Sequence, residues 1–91
     1  MKLYHATTPK KAKKYKTTGA IKSPVRGFNT LKGAMFWCMK TGRTVIYEIN
    51  VDIYNVHKLP DHHNKFGIAY WNDGDVNIEN IKCIVSTNKG E

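Results

Sequence analysis

The apolar positions of this chain change their period several times, and the changes mark its elements. Leu3 and His5 alternate with Tyr4 and Ala6, as the two faces of a short strand do, over 3–6. Thr8-Pro9 then pairs a helix N-cap with proline at the first helical position. A helix is predicted over 9–17, stopped by Gly19. Its apolar side chains are Ala12 and Tyr15, three apart on one face and ringed by lysines, so it should dock thinly. A brief extended piece over 20–22 leads into a predicted loop over 23–30, where Pro24 and Gly27 interrupt regular structure. Leu31, Ala34, Met35, Cys38 and Met39 recur at helical spacing. They predict a helix over 31–41, capped by Thr30 and ended by Gly42, with that stripe in the core.

In the second half the period falls to two. Val45, Tyr47, Ile49 and Val51 share one face of a predicted half-buried strand over 44–51, with Ile46, Glu48 and Asn50 on the other. An irregular edge over 53–58, a loop over 59–65 and a strand over 66–71 follow. A turn over 72–75, a turn or single helical turn over 77–80 and a last strand over 81–85 complete the order. The expectation is an α+β fold with two helices early and a largely antiparallel sheet. It should form one domain over 1–86, with a flexible tail over 87–91.

Charge adds direction to this picture. The chain carries a formal +8, and residues 2–43 hold eleven of its fifteen Lys and Arg and no Asp or Glu. The first half is therefore a basic region, suited to nucleic acid, an acidic protein or a phosphate-bearing cofactor, unless the lysines serve solubility alone. Cys38 and Cys83 fit no zinc spacing and are expected to be buried free thiols. No apolar run has the length of a signal peptide or approaches the roughly 20 residues of a membrane span, so a cytoplasmic protein without membrane contact is expected.

Few side chains offer chemistry. His5 ends a strand just before a helix N-terminus, where a ligand meets both an imidazole and free N–H groups, or where the ring is simply satisfied by backbone. Arg26-Gly27-Phe28 sets a guanidinium suited to phosphate beside a ring suited to stacking; solvated Arg and core Phe are the plain alternative. His57, Asp61, His62 and His63 invite a metal reading, but adjacent His62 and His63 cannot easily turn to one ion in a strand, and no metal is expected. Glu48 and Glu79 are the candidate carboxylates. Walker, Rossmann and nucleophile-elbow patterns are absent.

Leu3-Tyr4-His5-Ala6-Thr7, the helix through Tyr15, Gly19-Ala20-Ile21, Arg26-Gly27-Phe28-Asn29-Thr30, the helix from Leu31 and the strand from Val45 to Val51 stand in a suggestive order. That order resembles the ADP-ribosyltransferase superfamily, in the clade with histidine in its first motif, which includes poly-ADP-ribose polymerases and RNA 2′-phosphotransferases. Ala6 stands where those chains usually have glycine, and Phe28 where they usually have tyrosine. The resemblance implies NAD as a substrate. His5 would bind its ribose and nicotinamide amide, Phe28 would stack on nicotinamide, and Thr7, Arg26 and Gly27 would complete the cofactor site. Glu79, before the last strand, would be the catalytic glutamate beside His5. Lys10, Lys11, Lys13, Lys14, Lys16 and Arg26 would hold the diphosphate or a nucleic acid. The implied activity is transfer of ADP-ribose to a protein or nucleic-acid acceptor. A non-catalytic basic nucleic-acid-binding domain of the same fold is the alternative.

Overall fold

A strand joined to one neighbour along its whole length and to the other at a single point forms the middle of the structure. In the computed structural model, which describes residues 1–86, this is β1 (Lys2–Thr7). The expected tail over 87–91 lies outside the described residues. Helix α1 (Pro9–Thr18) follows, with the Thr8 hydroxyl accepting from the Lys11 N–H and Gly19 closing it at φ 79°. That backbone region favours glycine. The short β2 (Ala20–Ile21) then leads to β3 (Val25–Phe28) and α2 (Leu31–Thr41). Strand β4 (Val45–Asn50), a 3₁₀ turn over Ile53–Asn55, β5 (Val56–Asn64) and β6 (Gly67–Asn72) come next. The chain ends with β7 (Val76–Asn77), a 3₁₀ turn over Ile78–Asn80 and β8 (Ile81–Ser86).

Six strands form one sheet in the order β5-β6-β3-β1-β4-β8, and β2 pairs with β7 in a second, two-stranded sheet. Every described pairing is antiparallel. The α+β architecture with two helices and an antiparallel sheet is thus present. Alternation along β4 divides the core between the two faces. Val45, Tyr47 and Ile49 pack with Leu3, Val25 and Ala12 beneath α1. Ile46 packs with Phe28, Ala69 and Ala34 beneath α2. Strand β4 is therefore covered on both sides along its first half, rather than half-buried as expected.

Three further expectations are corrected. The segment over 23–30 is not all loop, because β3 pairs Val25 to Phe28 with Asn72 to Ala69 of β6. Pairing on a neighbouring strand, not local propensity, makes this strand, and its four residues with a central glycine are too short to show a period. Gly27 permits it: a Cβ there would lie 3.0 Å from the Leu3 Cβ and 3.1 Å from the Tyr4 carbonyl oxygen. The loop over 59–65 is mostly strand β5, where an edge position tolerates Pro60. In α2 the buried stripe is rotated, since Met35 and Met39 are exposed while Ala34, Trp37 and Cys38 turn inward. Gly33 explains the rotation: an added Cβ would sit 3.0 Å from the Phe28 ring and 3.3 Å from the Gly67 Cα, so helix and hairpin meet there. The Asn64 amide secures the contact by donating to the Gly33 carbonyl at 3.1 Å.

The cysteines also depart from expectation. Cys83 is exposed, because β8 is an edge strand, and Cys38 is only half-buried. No helix among the described residues is long and apolar enough to cross a membrane.

Close approach at Gly27 yields a test of the fold. Gly27→Ala is expected to destabilise the protein by about 1–3 kcal/mol, the usual cost of forcing a methyl into a packed strand interface. Met39→Gln, on the exposed side of α2, should stay within about 0.5 kcal/mol. Urea unfolding of the two variants beside the wild-type chain checks both.

Candidate functional site

The ladders on the two sides of β1 are unequal. With β4 it forms a continuous register from Lys2–Asn50 to Thr7–Val45. With β3 it is paired at Tyr4–Phe28 alone. Toward Thr7 the second ladder stops, and a groove of about 840 Å³ opens there between α1, α2 and the sheet. His5, Thr7, Arg26, Gly27 and Phe28 all line it. Residues that the sequence places in two separate segments are therefore brought to one cleft.

His5 spans the parting of the strands. Its Nδ1–H donates to the Arg26 carbonyl at 2.6 Å, a side-chain bond standing where a backbone ladder bond is missing. A carbonyl only accepts, so this contact fixes the tautomer. The other nitrogen, Nε2, lies 3.0 Å from the Tyr15 hydroxyl, which is itself 3.1 Å from the Thr7 hydroxyl. Thr7 is almost fully buried, and the Tyr15 ring rests edge-on against Tyr47 of the core. Burial holds the His5 imidazole below its ordinary value of 6.5. The bond to Arg26 pulls the other way, while the charges of Arg43 and Lys11 push it down further.

The lining is strongly basic. Lys11 and Lys14 come from α1, Lys40 and Arg43 from the end of α2, and Lys22 and Arg26 from the β2–β3 region. Asp61 is the only acid among the described residues that line it. Lys22 is engaged by Asp75 at 3.4 Å, whose other oxygen accepts the Ser23 N–H at 2.7 Å. That N–H bond, with the Lys22 charge behind it, holds the Asp75 carboxyl below its ordinary value. The lysine helix is divided by its geometry: Lys11 and Lys14 face the groove, whereas Lys13 and Lys16 line a separate shallow hollow beside Tyr47 and Ile81. Lys10 lines neither.

Aromatic surface completes the groove. Phe28 is buried in the core beneath α2, with its ring 6.1 Å from that of Trp37, so only part of it reaches the cleft. Trp37 and Phe36 line the groove from the helix and are less buried. Opposite them, Asp61, His62, His63 and Asn64 all contribute. A regular strand would turn alternate side chains away. The register of β5 against β6 shifts between Lys58 and His63, which lets consecutive residues share one side.

The candidate carboxylates lie elsewhere. Glu79 is exposed in the 3₁₀ turn before β8, its N–H bonded to the Asn77 side chain, and it does not line the groove. Glu48 accepts from the Tyr4 hydroxyl at 3.4 Å and lies 3.6 Å from the Lys2 amine, also outside it. His57 stacks on Trp71 at 4.5 Å and is likewise outside.

Tyr15, Trp37, Lys40, Arg43 and the segment over 61–64 join the site without having been expected there. For Tyr15 a signal existed. Leu3, His5 and Thr7 alternate onto one face of β1, and Tyr15 is the large side chain on the single apolar face of the next helix. Comparison with family models, with curated proteins and with solved structures found no match.

The depressed value of His5 has a stability consequence with a definite sign. A base held below its unfolded value contributes stability that is fully present above pH 6.5 and is lost as pH falls through the lower folded value. Unfolding free energies measured in urea should therefore decline as the pH is lowered from 7.5 past 6.5. In His5→Asn that decline should be shallower, and equal slopes in the two proteins would show that His5 does not contribute.

Proposed function

We propose that the groove binds a phosphate-bearing nucleotide of the NAD type, as in an ADP-ribosyltransferase-like protein. The supporting observation is the convergence of His5, Thr7, Arg26, Gly27 and Phe28 on one cleft rich in cations. Each part of such a ligand has a suitable counterpart. Lys11, Lys14, Arg26, Lys40 and Arg43 suit a diphosphate, Trp37 and Phe36 suit flat rings, and the polar groups of His5 and Thr7 suit ribose hydroxyls. A cleft of about 840 Å³ is within the range of small-molecule sites.

The reaction implied is transfer of ADP-ribose to a protein or nucleic-acid acceptor. The glycosidic C1′–N bond breaks, nicotinamide leaves with the bonding electrons, and an acceptor oxygen or nitrogen bonds to C1′ as its proton passes to solvent. The oxocarbenium-like transition state calls for a nearby carboxylate. Glu79, expected from its place in sequence, stands away from the groove, and the carboxylate the groove itself offers is Asp61. Transfer is therefore assigned to Asp61 with His5, and Glu79 is kept as the comparison.

Titration calorimetry should show NAD or ADP-ribose binding that weakens about tenfold or more in Arg26→Ala and in Trp37→Ala. Nicotinamide release in the presence of protein and RNA acceptors should stop in Asp61→Asn and continue in Glu79→Gln. Wild-type protein that neither binds nor consumes NAD removes this reading. A non-catalytic nucleic-acid binder is then favoured by the same cations and rings. It predicts oligonucleotide affinity that falls steeply with salt and survives Asp61→Asn.

A further inference from the structure

Both ring nitrogens of His5 are already occupied within the protein. Nδ1–H is held by the Arg26 carbonyl at 2.6 Å, which leaves Nε2 of the neutral ring as an acceptor. The group facing Nε2 is the Tyr15 hydroxyl at 3.0 Å, so the phenol O–H donates to it. The same phenol oxygen lies 3.1 Å from the Thr7 hydroxyl and accepts its proton. Tyr15 thus acts as donor to one partner and acceptor from the other, at the polar end of the groove.

We infer that Tyr15 is a built-in stand-in for a ligand hydroxyl, and that a ligand must displace its phenol to reach His5. The inference rests on the groove being a nucleotide site and concerns which ligands it admits. An alcohol such as a ribose hydroxyl matches the phenol's role, because it can donate to Nε2 and accept from Thr7 together. An ionised phosphate oxygen only accepts. It would leave Nε2 of the neutral ring without a donor, so it replaces Tyr15 only where the ring also takes up a proton, which burial and the charges of Arg43 and Lys11 oppose. The cluster selects sugar hydroxyls, while the lysines and arginines attract phosphate without discriminating among phosphate compounds.

The position of Tyr15 is compatible with exchange. Tyr15 is only partly buried, and α1, which carries it, has Ala12 as its one buried residue. Thr7, by contrast, is almost fully buried and needs a partner whenever the phenol leaves. A ligand hydroxyl supplies that partner. Without one, the departure of Tyr15 strands both Nε2 and the Thr7 hydroxyl, which keeps the phenol in place in the absence of a sugar.

The test is Tyr15→Phe against the wild-type chain, titrated calorimetrically with ADP-ribose and with inorganic pyrophosphate at one salt concentration. The variant should bind ADP-ribose roughly three- to tenfold more tightly, since one internal hydrogen bond no longer competes. Pyrophosphate affinity should not change. Weaker or equal ADP-ribose binding by the folded variant, with wild-type binding intact, overturns the inference and leaves the nucleotide reading standing. Absence of ADP-ribose binding by both proteins overturns the two together. Nitrogen-15 spectra of the wild-type imidazoles provide a second measurement that needs no variant. ADP-ribose should shift Nε2 of His5 together with the Tyr15 ring signals, and pyrophosphate should leave both in place. Tyr15 signals that stay fixed while ADP-ribose binds also overturn it.

Discussion

The hydrogen bond from His5 Nδ1–H to the Arg26 carbonyl organises the region where sheet and groove meet. Two antiparallel strands normally close on each other, because each unpaired N–H and C=O that stays out of water costs free energy. Here β1 and β3 close at Tyr4–Phe28, where Gly27 lets the backbones approach, and then separate. The imidazole takes up the Arg26 carbonyl that the separation would otherwise leave without a protein partner. Burying the ring carries a desolvation cost, and the bonds at its two nitrogens offset that cost. The opening is therefore a part of the sheet where a side chain stands between two strands.

Electrostatics gives the opening its chemical bias. Lys40 sits in the last turn of α2, where a cation is favoured by the exposed carbonyls, and Arg43 follows just beyond the helix. Beyond the effect of burial, the charges of Arg43 and Lys11 push down the proton affinity of His5. Like charges gathered around a single carboxylate repel one another, and an anion entering the cleft relieves that repulsion. Basic charge is gathered along the lining of the groove, contributed by three separate parts of the chain. Only part of the lysine helix takes part, because a helix bearing lysine on nearly every side points some of them away from any one surface.

The elements that could be read from the chain were those whose signals are local. Thr8-Pro9 with Gly19, and Thr30 with Gly42, bound the two helices because capping and the left-handed turn are decided within a few residues. Alternation from Val45 to Ile49 located β4 for the same reason. Long-range pairing was not legible. Strand β3 exists because β6 lies beside it, and Val25-Arg26-Gly27-Phe28 has no period to announce that. The rotation of α2 was missed for a related reason: Gly33 against Gly67 decides which face turns inward, and no spacing of Leu and Met reveals a contact with a residue 34 positions away. At the groove, His5, Arg26 and Phe28, which the order of their motifs groups in the sequence, line one cleft. Asp61 and its neighbours were not so grouped, since their shared orientation depends on a register shift in β5.

Tyr15 joins these strands of argument. A helix with so narrow an apolar face gains little from burial, so each contact on that face carries a larger share of its docking. One of those contacts is made by the phenol to His5 and Thr7, which are also groove residues. The docking of α1 and the state of the groove are consequently linked through one side chain. Lys11 and Lys14 ride on the same helix, so any displacement of Tyr15 is felt where two of the groove's cations are carried. The cleft thus has one wall built of paired strands and another carried by a helix with a narrow apolar face.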